Sequence, residues 1–210
     1  MIPTIHPIRY ATSTLAENLI LRGGRTDVYH PISFTIYLLI TEDRRILVDA
    51  GCETMPGFVM HYHVSPARAV ERYGVAAEEI TDVIITHAHH DHVEAVGRFP
   101  NATVYIQQDE YVKAEAFIPP FMPVVTFESG YIVAEGVRVI RWGGHSTGSC
   151  VVQVGEDALI VGDEVYTTAC VKQGIPTGAS CDPIRSEAFI KEYGRGWRLH
   201  YCHDPAIGGM

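Results

Sequence analysis

The sequence predicts an α+β fold in which two sheets pack face to face with helices outside. Strand signals followed by helical ones occur in both halves of the chain, and no Pro/Ser-rich linker or charge run separates the halves. The 210 residues, 47% hydrophobic and 20% charged, exceed a typical domain of roughly 150 but fall short of two. Residues 1–210 are therefore expected to form a single domain around one sizeable core. Periodicity alone leaves other layered α/β arrangements open.

Taken in order, residues 33–40 (SFTIYLLI) and 45–49 (RILVD) are β-branched and apolar, and the turn-like Thr41-Glu42-Asp43 between them makes a hairpin. A helix is expected over 65–74, with Ser65 as N-cap, Pro66 at the first position and Gly74 as the stop. The run 79–86 (EITDVIIT) reads as a buried strand that delivers His87. A short helix over 93–99, a strand over 102–107 and a helix over 109–116 follow. Strands are then expected at 132–133, 137–142, 150–154 and 158–161, joined by turns at Glu135-Gly136 and Gly155-Glu156-Asp157. A helix over 186–193 stops at Gly194, and a last strand over 197–202 ends at His203. The first 30 residues offer no clear element.

Composition narrows the function. A net charge of −9, from 16 Lys and Arg against 25 Asp and Glu, lacks the basic stripe of a nucleic-acid binder, so a small-molecule substrate is expected instead. No stretch approaches the 18 or so apolar residues that span a bilayer, and the opening residues lack a basic start followed by an apolar run. The five cysteines are scattered and never form a C-x-x-C pair, as in reduced cytosolic chains. A cytoplasmic protein that does not engage membranes is the expectation.

The chain has 11 histidines, and four of them fall within residues 87–92. His87-Ala88-His89-His90-Asp91-His92 contains the pattern H-x-H-x-D-H. Residues i and i+2 of an extended segment project to one side, so His87 and His89 leaving a strand can share one metal ion. If the chain then turns into a helix, Asp91 and His92 point to a neighbouring position where a second ion can sit about 3.5–4 Å away. Imidazole plus carboxylate suits zinc and is also accepted by manganese, iron and cobalt. His90 is expected to point away, and His6, His30, His61, His63 and His200 to be surface or satisfied core residues.

In this pattern the sequence resembles the metallo-β-lactamase superfamily of hydrolases, closest to its N-acyl homoserine lactonases. The resemblance runs from about Ser33 to Pro205, and it implies a four-layer αββα sandwich and a zinc-dependent enzyme holding two Zn2+ ions. Carried over onto this chain, His87, His89 and His145 (GGHSTGS) would hold one ion and Asp91, His92 and His203 (CHDP) the other. Asp163 (IVGDEVY) would bridge the two, and Asp49 (VDAG) would sit behind the metal loop and orient it. Tyr166, three residues after Asp163, stands where the lactonases place a tyrosine, and with Asp91 and Asp163 completes the expected catalytic set. TVYIQQDEYVKA and GHSTGSCVVQV also resemble that subfamily.

The resemblance implies attack by a metal-bridging hydroxide on a lactone carbonyl, with Tyr166 donating a hydrogen bond to the developing oxyanion and Asp163 relaying the proton. The superfamily's chemistry also covers thioesters, other esters and small phosphodiesters, and a non-catalytic, metal-stabilised binder is a further alternative. The ligand set speaks against the binder, because a structural zinc site is closed by four ligands and has no use for a bridged pair. The apolar stretch FIPPFMP (117–123) is expected to line an acyl pocket, or to form a lid or a contact in a possible homodimer. Cys150 and Cys202 alternate away from the ligands and are expected to be buried thiols.

Overall fold

The computed structural model describes residues 3–207. Six strands form a first sheet in chain order: β1 (Thr4–Ala16), β2 (Tyr29–Ile40), β3 (Arg45–Val48), β4 (Asp82–Ile85), β5 (Thr103–Gln107) and β6 (Val124–Phe127). β1 to β3 pair antiparallel, whereas β3 to β6 run parallel through helical crossovers. A second sheet holds β7 (Gly130–Ala134), β8 (Val137–Arg141), β9 (Cys150–Val154), β10 (Ala158–Ile160) and β11 (Arg198–His200), with only the β10–β11 pair parallel. The helices are α1 (Glu17–Ile20), α2 (Pro66–Glu71), α3 (His90–Val93), α4 (Gln108–Ala114), α5 (Thr168–Gln173) and α6 (Pro183–Tyr193).

Period-2 alternation sorts neighbouring side chains into different layers. Tyr37, Leu39, Val48 and Ile84 of the first sheet meet Val139, Val152, Val154 and Ile160 of the second in a core between the sheets. Their neighbours Ile36, Leu38, Leu47, Val83 and Ile85 join the core that includes Ala69 and Val70 of α2. On the second sheet Val151 and Leu159 join Phe189 and Ile190 of α6 in the same way. The result is helix, sheet, sheet, helix, and it explains why SFTIYLLI is apolar at nearly every position: both faces of β2 are covered. Among the described residues no helix is long and apolar enough to cross a membrane.

Four elements were not expected from the sequence: β1, α1, β6 and α5. β1 carries Pro7 and a register shift between Arg9 and Ala11, which buries Tyr10 and Ala11 in succession and breaks the alternation that marks a strand. The other three are six residues or shorter and draw their stability from packing, as Cys170 of α5 does. The helix expected over 93–99 starts earlier, at His90, so Asp91 and His92 lie in its first turn. α6 also starts earlier, at Pro183, because Asp182 accepts hydrogen bonds from the Ile184 and Arg185 amides at 3.1 Å each and caps the helix.

His200 of β11 sets its ring edge-on to Tyr37 at 5.7 Å. Burial, aided by the Arg198 charge, pulls its pKa from an ordinary 6.5 down to about 4. The folded chain keeps this ring neutral, whereas the unfolded chain takes up a proton below its ordinary value. Its contribution to stability is therefore complete above pH 6.5 and lost as pH falls toward 4. In urea unfolding at pH 7 and pH 4.5, His200→Phe is expected to lose on the order of 1 kcal/mol less than the parent chain, a figure reduced for partial solvent exposure.

Candidate metal centre

β4 ends one residue before Thr86, and the chain leaves it extended, so His87 and His89 face the same side before α3 begins. His145 comes from the loop between β8 and β9, Asp163 follows β10, and His203 follows β11. Each ligand thus leaves the end of a strand or opens a short helix, and the two sheets converge on one rim. Asp163 is buried at the centre, with one carboxylate oxygen toward each group of ligands.

Around its Oδ2 lie His87 Nε2 at 3.6 Å and His145 Nε2 at 3.4 Å, and His89 Nδ1 is 3.0 Å from the first nitrogen and 2.9 Å from the second. Four donors on a zinc ion at about 2.0–2.1 Å stand roughly 3.3 Å apart along the edges of a tetrahedron, which these separations bracket. Around Oδ1 lie His92 Nε2 at 3.2 Å and His203 Nε2 at 3.1 Å, and Asp91 Oδ2 is 3.7 and 3.6 Å from those two nitrogens. His92 Nε2 and Asp163 Oδ1 are buried without a hydrogen-bond partner. Buried polar atoms are rarely left so, and a cation between them removes the penalty. Both groups fit a metal ion.

The neighbouring hydrogen bonds aim the lone pairs. Asp49 accepts from the Thr86 amide at 2.8 Å and the Thr86 hydroxyl at 3.0 Å, and its Oδ2 takes the His92 Nδ1 proton at 2.8 Å. The Thr86 hydroxyl, committed as a donor to Asp49, accepts from His87 Nδ1 at 3.1 Å. His203 Nδ1 donates to the Ser33 carbonyl at 2.9 Å. In all three rings Nε2 is left as the free acceptor that metal binding requires. Asp49 also lies near Cys202 Sγ at 4.0 Å, but its oxygens already serve these donors, so this trio reads as a hydrogen-bond hub.

Electrostatics agrees with a cation site. Burial drives the pKa of His87 well down and that of His145 to about 4, which keeps both rings neutral. Burial opposes charge on His92 and His203 too, but the carboxylates facing them, Asp163 foremost, outweigh it and raise both.

A cavity of about 280 Å³ opens onto the site. Leu15, Leu19, Ile32, Phe34, Met55 and Phe58 form its apolar wall, and His89, Asp91, Asp163, His203 and Tyr166 its polar end. The Tyr166 ring lies 5.0 Å from that of His203 and 5.9 Å from that of His145. Burial first, then the Asp163 charge, raises its pKa well above the usual phenol value, so the hydroxyl remains a proton donor. One expectation is corrected: residues 117–123 do not line this cavity, whereas Leu15, Leu19, Met55 and Phe58 do. His90 borders the cavity, but it joins neither group of ligands and sets its ring edge-on to Phe117 at 5.5 Å.

Sequence reasoning also missed two buried carboxylates. Glu110 accepts from the Ala88 amide at 2.9 Å, the Ser146 hydroxyl at 2.8 Å and the Gly148 amide at 3.0 Å, tying the H-x-H loop to the His145 loop. Glu164 accepts from the Gly144 and His145 amides at 3.1 and 3.2 Å, and burial lifts its pKa to about 7 against the pull of these bonds. Both glutamates stand beside motifs, in QQDEY and GDEVY, but nothing in the sequence places them in the interior.

The fold has counterparts among known proteins. The family model of the metallo-beta-lactamase superfamily matches residues 35–189, and the chain belongs to that superfamily. The match ends before His203, which the fold brings to the site. The chain is 28% identical over 170 residues to an N-acyl homoserine lactonase of Bacillus cereus, covering 67% of each chain. Its structure superposes with a TM-score of 0.84 on a B. thuringiensis AiiA variant that has N-decanoyl-L-homoserine at its active site. There the identity is 21%, and 98% of this chain and 95% of that one are covered. An N-acyl homoserine lactone hydrolase with N-hexanoyl-L-homoserine at its catalytic metal centre gives the same score, at 20% identity and with the same shares of the two chains covered.

Because Asp49 fixes the ring of His92 and the backbone at Thr86 together, Asp49→Ala is expected to weaken metal binding by about 10–100-fold. Chelator competition on the purified chain measures it, and unchanged affinity would mean that the carboxylate does not orient the ligands.

Proposed function

We propose that this chain is a dinuclear-metal hydrolase that opens the ring of N-acyl homoserine lactones. The observation that carries the reading is the cavity: an apolar wall suited to an acyl chain ends on His87, His89, His145 and Asp163 and on Asp91, His92 and His203, the last two facing the other oxygen of Asp163, with a protonated Tyr166 beside them. The donor set suits zinc, and manganese, iron or cobalt would accept the same ligands. His87, His89, His145 and Asp163 would hold one ion, and Asp91, His92, His203 and Asp163 the other. Such a pair supplies a nucleophile at neutral pH and Lewis-acid polarisation of the carbonyl.

The chain's own residues do the rest. Tyr166 donates its hydroxyl proton in a hydrogen bond to the carbonyl oxygen as negative charge grows there, an interaction that strengthens toward the transition state. Asp91 offers a carboxylate oxygen at the polar end of the cavity that can carry a proton toward the ring oxygen as the C–O bond breaks, while Asp163 holds the two groups together. Leu15, Leu19, Ile32 and Phe34 exclude water from the acyl side and orient the ring toward the carboxylates.

On short-chain acyl homoserine lactones, followed by pH-stat with zinc-loaded protein, Tyr166→Phe is expected to lower kcat by about 10²-fold with little change in KM. Asp163→Ala is expected to abolish turnover and metal retention together. A wild-type chain that carries two metal ions but opens no lactone would discard the lactone, and thioesters and phosphodiesters would be tested next.

A further inference from the structure

The loop that presents His145 is GGHSTGS, residues 143–149. One side of it is held by Glu164, whose carboxylate accepts from the Gly144 amide at 3.1 Å, the His145 amide at 3.2 Å and the Ser149 hydroxyl. The other side is held by Glu110, which accepts from the Ser146 hydroxyl and the Gly148 amide and joins the loop to Ala88 of the H-x-H segment. Both carboxylates are essentially inaccessible to solvent, at 0% and 1% exposure. Two glycines record how close they come. A Cβ on Gly144 would overlap the Glu164 carboxylate and the Ser186 hydroxyl, and one on Gly148 would overlap Gln107 Oε1 and press on Glu110 Cγ. Glycine is required at 144 because Glu164 and Ser186 lie against it, and at 148 because Gln107 and Glu110 do.

We propose that Glu164, with Glu110 on the opposite flank, is a positioning residue for the metal centre. The two carboxylates clamp the 143–149 loop so that His145 Nε2 meets His87, His89 and Asp163 without rearrangement. Glu164 touches none of the ligand atoms; it acts through the backbone of His145. The loop ligand needs this support because His145 Nδ1 has no hydrogen-bond partner of its own, unlike the Nδ1 atoms of His87, His92 and His203. Orientation that those rings receive from a side-chain or carbonyl acceptor reaches His145 through its main chain instead. A carboxyl group suits the task, since its two oxygens meet the Gly144 and His145 amides and the Ser149 hydroxyl, all donors.

The inference rests on the metal half of the proposed function and not on the lactone. The test is zinc binding to the full metal-free chain by chelator competition, with Co2+ absorption spectra and the thermal midpoint of the metal-free chain recorded for each variant. Glu164→Gln keeps size and one acceptor but turns an NH2 toward donor groups. It is expected to weaken one of two zinc equivalents by about 10–100-fold and to shift its Co2+ spectrum, while the metal-free Tm moves only a few degrees. Ser149→Ala removes one donor outside the ligand set and is expected to act in the same direction by a smaller factor. If Glu164→Gln does not fold, Ser149→Ala and Gly144→Ala, which crowds the carboxylate, decide by the same readouts. Unchanged zinc affinity and Co2+ spectra in the folded variants would overturn the proposal and leave Glu164 a packing residue. A wild type that binds two zinc ions but opens no lactone would overturn the substrate reading alone.

Discussion

Asp49 is the interaction on which the rest depends. It stands just past β3 with φ at +63°, a conformation that costs a non-glycine residue on the order of 1 kcal/mol and persists only where the surroundings enforce it. Here they do. Its amide donates to the Ile84 carbonyl at 2.8 Å, and its carboxylate takes the Thr86 amide, the Thr86 hydroxyl and His92 Nδ1. One buried side chain therefore ties the ends of two parallel strands together and aims a ring on α3. The same carboxylate therefore couples the register of the strand ends to the position of the candidate ligand His92.

A site of this kind is expensive to bury. Asp49, Asp163, Glu110 and Glu164 are all removed from water, and an unpaired buried carboxylate is strongly destabilising. Each is compensated differently. Asp49 and the two glutamates are compensated by hydrogen-bond donors, whereas Asp163 faces four imidazoles and retains an oxygen without a donor. The carboxylate left open is the one both ligand groups share. Donor geometry alone thus sets Asp163 apart from the carboxylates whose oxygens are already satisfied.

The sequence made some of this legible and hid the rest for physical reasons. The H-x-H-x-D-H cluster is local, so spacing alone brings four side chains within reach. His145, Asp163 and His203 are single residues that only the converging sheets bring to the cluster; they were found through the family pattern. The layered arrangement could be read from apolar runs in β2 to β5. The elements that were missed are those whose signal is disrupted, as by the Tyr10 bulge in β1, or too short to stand out, as in β6 and α5. Glu110 and Glu164 look like surface residues in sequence, because charge there is ordinarily solvated and only the fold reveals donors on every side.

The same reasoning explains why residues 117–123, one candidate for the cavity lining, do not line it. FIPPFMP is apolar and irregular, which in sequence resembles a binding loop, yet Ile118 and Met122 are buried in the core and Phe121 points outward, 67% exposed. The real wall draws on Leu15 and Leu19 from a strand and helix that gave no clear signal, on Ile32 and Phe34 from β2, and on Met55 and Phe58 from a turn. None of these is close in sequence to the metal ligands. β1 reaches the site because Tyr10 inserts at its bulge, donating to the Asp91 carbonyl at 3.1 Å and so locking the strand against the metal loop. The candidate ligands are held by specific hydrogen bonds, whereas the wall is held mainly by packing. Within this fold, differences in substrate are therefore expected to arise first at Leu15 and Leu19, which bring the segment that begins at β1 to the cavity wall.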